Sequence, residues 1–284
     1  MKGLKAEGAA VERAYRESGN SGRKAAAAGK TRKSAVAGSF YPANKAELEK
    51  LITGLFAQAK KSKLTGKLKG LVVPHAGYIY SGVVAASAYL LLQQMEQEHP
   101  EKRKIIIIGP SHFVPFKGIG ASGAKKWETP LGTAVTNEKG LPQRPKAHGQ
   151  EHSIEVQVPF LQSVLKKFTI TPIVYGNATA QEIARICGKL IDGNTIIIAS
   201  SDLSHYYQYE DANDIDSVAN KAIPALDIGK AAKAEACGIR GILALMLIAK
   251  KGKWKGKLLD YRNSGDTAGS KDSVVGYGAY AFYT

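Results

Sequence analysis

Three of the chain's six histidines recur at one kind of place, just past a short apolar run bounded by Gly, Pro or Ser. They are His75 in LVVPHAGYIYSG, His112 in IIIIGPSHF and His205 in TIIIASSDLSHYY. Runs of this length, rich in Val and Ile, read as fully buried parallel strands. In open α/β sheets ligands bind beyond the carboxyl ends of such strands, so the three imidazoles are expected to converge on one pocket. Neutral imidazole ligates zinc, copper and iron and is the usual general base near neutral pH. The chemistry to look for is metal binding, proton transfer, or both.

The flanking residues sharpen this. Small residues surround His75, which lets backbone or ligand approach closely, and Gly109-Pro110-Ser111 stops the second strand in front of His112. Asp202 lies three residues before His205. A carboxylate there orients the imidazole and raises its basicity, or it caps a helix; both readings stand. His152 and Glu155, one helical turn apart in EHSIE, are placed at the pocket rim as substrate-positioning groups, while the helix dipole alone accounts for Glu151 and Glu155 as first-turn acids. His99 and His148 fall in polar loops and read as solvated. Cys187 lies on the apolar face of a helix and reads as a small hydrophobe. Cys237, before Gly238 at a helix break, stays open: if it reaches the histidines, its thiolate completes a soft His/Cys site.

Two phosphate-binding patterns fail, and so does a serine-nucleophile reading. Residues 118–123 match GxGxxG, but a turn-rich stretch with Trp127 and Pro130 follows where a helix should begin. Gly29-Lys30-Thr31 lacks a preceding strand and the upstream glycine. No Gly-x-Ser-x-Gly elbow occurs.

The elements that must position these groups follow from periodicity. Asn44 with Glu47 marks a helix start, and Leu48, Leu51, Ile52, Leu55 and Phe56 carry that helix to about residue 60. Strands are expected at 68–73, 105–108, 169–174, 195–200, 257–263 and 274–283. Helices are expected at 81–98, 151–167, 179–192, 210–226, 230–236 and 239–251, and residues 118–137 form an antiparallel excursion around a turn at 128–132. This alternation gives a single-domain α/β sandwich with a mainly parallel or mixed central sheet flanked by helices.

Composition bounds the rest. The 284 residues, 44% hydrophobic, suffice for one large core. Residues 1–34 are rich in Ala, Gly, Lys and Arg and read as a disordered basic leader, with the fold over 35–284. The net charge of +16 permits polyanionic partners. The lysines have little aromatic interleaving, however, so a solvated basic surface is expected in preference to a nucleic-acid groove. Two cysteines are too few for a disulfide framework, and no apolar stretch reaches the roughly 20 residues of a membrane span. A cytoplasmic location is expected.

Taken together, AVAGSFYPAN, PHAGYIYSG, GPSHF, WETPLGT, EHSIEVQVPFL and SSDLSHY resemble the Memo family, including the prokaryotic members called AmmeMemoRadiSam system protein B. The resemblance runs from about residue 35 to the end. It implies a fold like that of the class III extradiol dioxygenases and a metal pocket of His75, His112 and Cys237 for iron or copper. The cysteine stands where those dioxygenases carry a carboxylate. It also implies that His205 is the acid/base histidine with Asp202 beside it, and that His152 lines the pocket. Redox or oxygen chemistry on a small molecule or peptide follows as one expectation. The alternative is a non-catalytic binding module acting with AMMECR-type and radical SAM proteins. Gly-Ile-Arg240 after Cys237 and the basic leader depart from the family pattern.

Overall fold

In the computed structural model, residues 31–284 are described; most of the expected leader lies outside them. The strands are β1 (Thr31–Arg32), β2 (Leu68–Val73), β3 (Arg103–Pro110), β4 (Ile119–Gly120), β5 (Lys126–Thr129), β6 (Gly132–Thr136), β7 (Phe168–Tyr175), β8 (Thr195–Ser200), β9 (His205–Tyr207), β10 (Lys255–Asn263) and β11 (Val274–Tyr283). The helices are α1 (Lys45–Gln58), α2 (Tyr78–Glu98), α3 (Pro145–Gly149), α4 (Gln157–Val164), α5 (Ala180–Gly188), α6 (Tyr209–Ala222), α7 (Ile228–Ala231) and α8 (Ile239–Lys251).

The sheet runs in the order β1-β5-β6-β7-β3-β8-β2-β11-β10, with β4 on β7 and β9 on β11 beside this path. From β6 through β7, β3 and β8 to β2 the strands are parallel; β11 and β10 extend the sheet antiparallel. The fold is therefore the mixed α/β sandwich expected from the alternation of elements.

Both faces of the sheet are covered, and successive side chains serve opposite faces. In β3, Ile105 and Ile107 pack with α1, α2 and α4 residues such as Leu48, Leu92 and Phe160. Ile106 and Ile108 pack on the other side with Ile183, Ile242 and Leu245 from α5 and α8. Each such buried side chain contributes about 1.5–3 kcal/mol of transfer free energy. Within the first layer Tyr89 stacks on Phe160 with ring centroids 4.9 Å apart. Asn44 caps α1 by accepting from the Glu47 amide at 3.1 Å.

Two local expectations change. The helix expected over 151–167 is confined to Gln157–Val164. Pro159 explains this: it lacks an N–H and is tolerated in the first turn, as here, but would break the interior of a helix begun at 151. The second change concerns residues 31–34, composed like the leader. Here Thr31 and Arg32 pair with Lys126 and Trp127 of β5. Arg32 is 4% exposed, lies 4.0 Å over the Trp127 ring, and donates to the carbonyls of His148 and Glu151, each at 2.8 Å. Its remaining nitrogen meets Glu155 Oε2 at 2.6 Å. Glu155 also accepts from the Ala35 and Val36 amides and the Tyr41 hydroxyl.

Removing one partner of a buried pair strands the other charge, so Arg32→Ala should cost about 3–5 kcal/mol in urea unfolding. A loss below about 1 kcal/mol would show that this clamp does not hold the segment.

Candidate metal centre

Three neighbouring parallel strands end at one place. His75 follows β2 by two residues, His112 follows β3 by two, and Ser200 ends the intervening β8 with Ser201 and Asp202 directly after it. Cys237 arrives from the opposite direction, immediately before Gly238 at the start of α8. Glycine is required there, because a Cβ at 238 would lie 2.5 Å from the Ser201 Cβ and 2.6 Å from the Ser200 carbonyl oxygen. That close approach seats Cys237 Sγ 3.2 Å from His75 Nε2. One donor atom each from His75, His112 and Cys237 lie within 4.8 Å of one another.

The hydrogen bonds determine which ring nitrogens face the cluster. Ser200 donates its hydroxyl proton to the Ser153 carbonyl and accepts from Gln157 Nε2 at 2.8 Å. Ser200 Oγ is 3.1 Å from His75 Nδ1 and therefore accepts from it, which leaves Nε2 turned to Cys237. His112 Nδ1 donates to Glu151 Oε1 at 2.9 Å, while the other Glu151 oxygen takes the His112 amide at 2.6 Å. Glu151 Oε1 also accepts from the Ser153 amide at 2.9 Å. Burial would raise the Glu151 pKa, but these hydrogen bonds and the His112 charge outweigh it and hold the carboxyl well below the usual range. Both imidazoles are thus fixed through Nδ1, the outer-shell arrangement found behind metal-bound histidines.

The electrostatics fit a cation. Burial pushes the Cys237 thiol up, yet His75 and the hydrogen bonds from His112 and His75 bring it down to about 6. Burial lowers His112, but its bonds to Cys237 and Glu151 raise it to about 10. Metal binding displaces protons of this kind, so a thiolate sharing one with an imidazole is a donor set that could hold a metal ion.

His152 stacks on His112 with centroids 4.7 Å apart and crosses His75 nearly perpendicularly at 5.3 Å. Its buried Nδ1 has no hydrogen-bond partner and lies 3.5 Å from Glu151 Oε1. Burial, and after it the neighbouring His75, drop its pKa to about 3, so it is neutral at the wall of the site. Asp202 is buried; its Oδ1 accepts the His75 amide at 2.7 Å and its Oδ2 lies 4.0 Å from His75 Nε2. Burial raises the carboxyl, although the His75 amide and the nearby His205 charge pull it down. His205 itself is half-buried on β9, paired to Val275 of β11 and followed by Tyr206 at φ 66°.

The expected trio and His152 therefore come together, with Asp202 touching His75 more closely than the sequence implied. Glu155 does not join them. It is fully buried, its oxygens are taken by Arg32, two amides and Tyr41, and the carboxylate beside His152 is Glu151. His148 is likewise not solvated: it is 1% exposed, faces Trp127 edge-on, meets the Gly120 carbonyl through Nε2 at 2.9 Å, and is pushed down to about 3 by burial. Cys187 is fully buried, as its helical face required, and His99 is exposed.

The sequence model of a family described as Memo-like protein matches residues 32–281. The chain belongs to the Memo family. It is 35% identical to a MEMO1 family protein of Nitrosopumilus maritimus over 278 residues, covering 88% of this chain and 99% of the relative. It is 39% identical to one of Thermoplasma volcanium (87% and 96% covered) and 37% identical to one of Aquifex aeolicus (87% and 97%). The family match begins at Arg32, the residue that clamps the segment 148–155, and takes in the whole cluster. Sequence reasoning missed Glu151, Gln157 and Ser200 as orienting groups in this Memo site. The one available signal was Glu151 next to His152; Ser200 ends a strand and Gln157 opens a helix with nothing local to mark them.

In metal-free protein the depressed thiol should be ionised above about pH 6, so alkylation of Cys237 should plateau below the ordinary thiol range. Cys187, pushed up to about 12 by burial, should stay unmodified. Peptide mass spectrometry across pH reads both; a Cys237 rate that rises only near about 8.5 would contradict the charge balance described here.

Proposed function

We propose that this protein binds iron or copper through His75, His112 and Cys237 and performs redox or oxygen chemistry on a small molecule or peptide. The observation that carries this reading is the pair of imidazoles whose Nδ1 atoms are both tied back, so that their remaining nitrogens meet one thiolate. A thiolate with two imidazoles is a soft donor set suited to copper and to non-haem iron. Bound there, the metal would supply electron transfer or activation of oxygen.

The chain's own residues do the remaining work. His75 and His112 are held in register by Ser200 and Glu151, which removes the freedom each ring would otherwise lose on coordination. His205, on β9 and near enough for its charge to lower the Asp202 carboxyl, is the group we assign to move a proton. His152, neutral and packed between His112 and Phe40 with its Nδ1 turned to Glu151, lines the wall against which a bound molecule would sit.

A second reading, a non-catalytic module that works with AMMECR-type and radical SAM proteins, is favoured by a different observation. Ile79, Tyr80, Phe113 and Tyr206 are exposed large apolar side chains, and each lies within five residues of His75, His112 or His205 in the chain. Such a collar suits a protein partner as well as a substrate. Partner binding that survives chelation of the metal would select this second reading.

Metal analysis of protein purified without oxygen tests the first. His75→Ala and His112→Ala should abolish stoichiometric iron or copper, and Cys237→Ser should weaken it, since a neutral hydroxyl replaces a soft anion. Glu151→Gln should lower affinity by about 10–100-fold through loss of His112's orientation and of the carboxylate charge behind it. His205→Gln should keep its metal and lose the pocket chemistry. Full metal content in His75→Ala or His112→Ala would overturn the assignment.

A further inference from the structure

Two lysine runs that lie far apart in the sequence meet in the fold. Residues 60–69 (KKSKLTGKLK) and 250–257 (KKGKWKGK) contain no acidic residue and no arginine. The first run leads into β2; the second joins the end of α8 to β10. Strand β11 lies between β2 and β10 and ties the runs together, because Tyr283 pairs with Leu68 on one side and Lys255 on the other. Lys257 Nζ also donates to the Lys63 carbonyl at 3.0 Å, and the Thr284 amide donates to the Lys67 carbonyl at 3.1 Å.

No described side-chain carboxylate pairs with the charge gathered there. Lys60, Lys61, Lys63 and Lys67 are exposed in the first run, and Lys250, Lys251, Lys253 and Lys255 in the second. Among the described residues none of these eight forms an ion pair with a carboxylate. Asp227 feels Lys250 but is paired with Lys230 at 3.4 Å. The half-buried Lys69 ammonium is lowered from its ordinary value, first by burial and then by Lys67, as repulsion within the cluster requires.

This face is remote from the histidine cluster by two separate measures. Strand β2, whose six residues span about 20 Å, carries Lys67 before its first residue and His75 beyond its last. Helix α8 carries Cys237 before its start and Lys250 and Lys251 at its end, about 20 Å apart at helix rise.

We propose that this amino-terminal end of the sheet is a docking face for the phosphate backbone of a nucleic acid, bound without regard to sequence. Lysine is a compact point charge that meets phosphates but lacks the fork with which arginine reads guanine edges. Releasing the counterions that such a cluster and a linear polyphosphate each hold supplies essentially all of non-specific binding. An anionic bilayer fits less well. Stable attachment there takes a second, apolar signal besides a polybasic patch, and no exposed large apolar side chain of the described residues falls in either run. The dispersed lysines that the sequence presents as a solvated surface become one patch only through the pairing of β11 with its two neighbours.

Fluorescence anisotropy of the full chain with a labelled duplex DNA of about 20 base pairs, between about 50 and 200 mM salt, tests this. Binding should be micromolar or tighter at the lower salt, equal for two unrelated sequences, and steeply salt-dependent. Replacing Lys61, Lys63, Lys253 and Lys255 together by Gln should weaken it at least tenfold and flatten the salt slope by about one for each phosphate that no longer meets a lysine. The same four-charge change at Lys45, Lys117, Lys125 and Lys139, exposed elsewhere, should leave most of the affinity. Unchanged far-ultraviolet circular dichroism and melting temperature in both variants would verify the fold. No duplex binding at about 50 mM salt, equal weakening by the two variants, or tighter binding to phosphatidylserine vesicles than to the duplex would each overturn the proposal.

Discussion

The carboxylate of Glu151 is the interaction on which the carboxyl edge of the sheet depends. One oxygen receives the His112 amide; the other receives His112 Nδ1 and the Ser153 amide and lies against His152. A buried carboxylate is costly unless its lone pairs are filled, and here donors on both sides of the site fill them. The same group therefore orients a candidate ligand, holds the segment 151–153 in turns, and supplies the negative charge that balances an imidazolium next to a thiolate.

That carboxylate would not be in place without the segment's other restraints. Arg32 grips the carbonyls of His148 and Glu151 and pairs with Glu155, so a two-residue edge strand anchors the loop that reaches back to the centre of the sheet. Ser153 donates to the Pro110 carbonyl at 3.0 Å, and a Cβ at position 109 would come within 2.5 Å of the Ser153 hydroxyl. Glycine at 109 lets loop and strand touch, as glycine at 238 lets Cys237 touch the end of β8. The site is assembled by close backbone approach as much as by side chains.

The strand order explains why three motifs separated in the chain serve one centre. The order β3-β8-β2 places the ends of these strands side by side, one inter-strand spacing of about 4.8 Å apart. Because all three run parallel, their last residues lie along one edge. The opposite end of β2, with β11 and β10 beside it, gathers the segments that carry the lysine runs, so the fold separates the histidine–cysteine edge from a cationic one.

Much of this was legible in the sequence. The four isoleucines of β3, bounded by charge and by Gly-Pro, admit only a strand buried on both faces, and the repeat of that pattern before His75 and His112 located the cluster, whereas His205, expected to converge with them, lies on β9. Periodicity also placed α1, α8 and the β5–β6 hairpin, since amphipathic spacing and turn residues act locally. What local pattern could not supply was partnership. Glu151 and Glu155 are equivalent first-turn acids by sequence, yet one orients His112 and the other is consumed by Arg32, more than a hundred residues away. His148 looked solvated because its neighbours are polar, but burial depends on which strands cover it. Cys237 could be an inert thiol or a ligand until α8 packed against the end of β8. Residue type and spacing by themselves determined the elements and the chemistry available; only tertiary structure decided which groups meet, because burial, desolvation and hydrogen-bond pairing arise between segments distant in the chain.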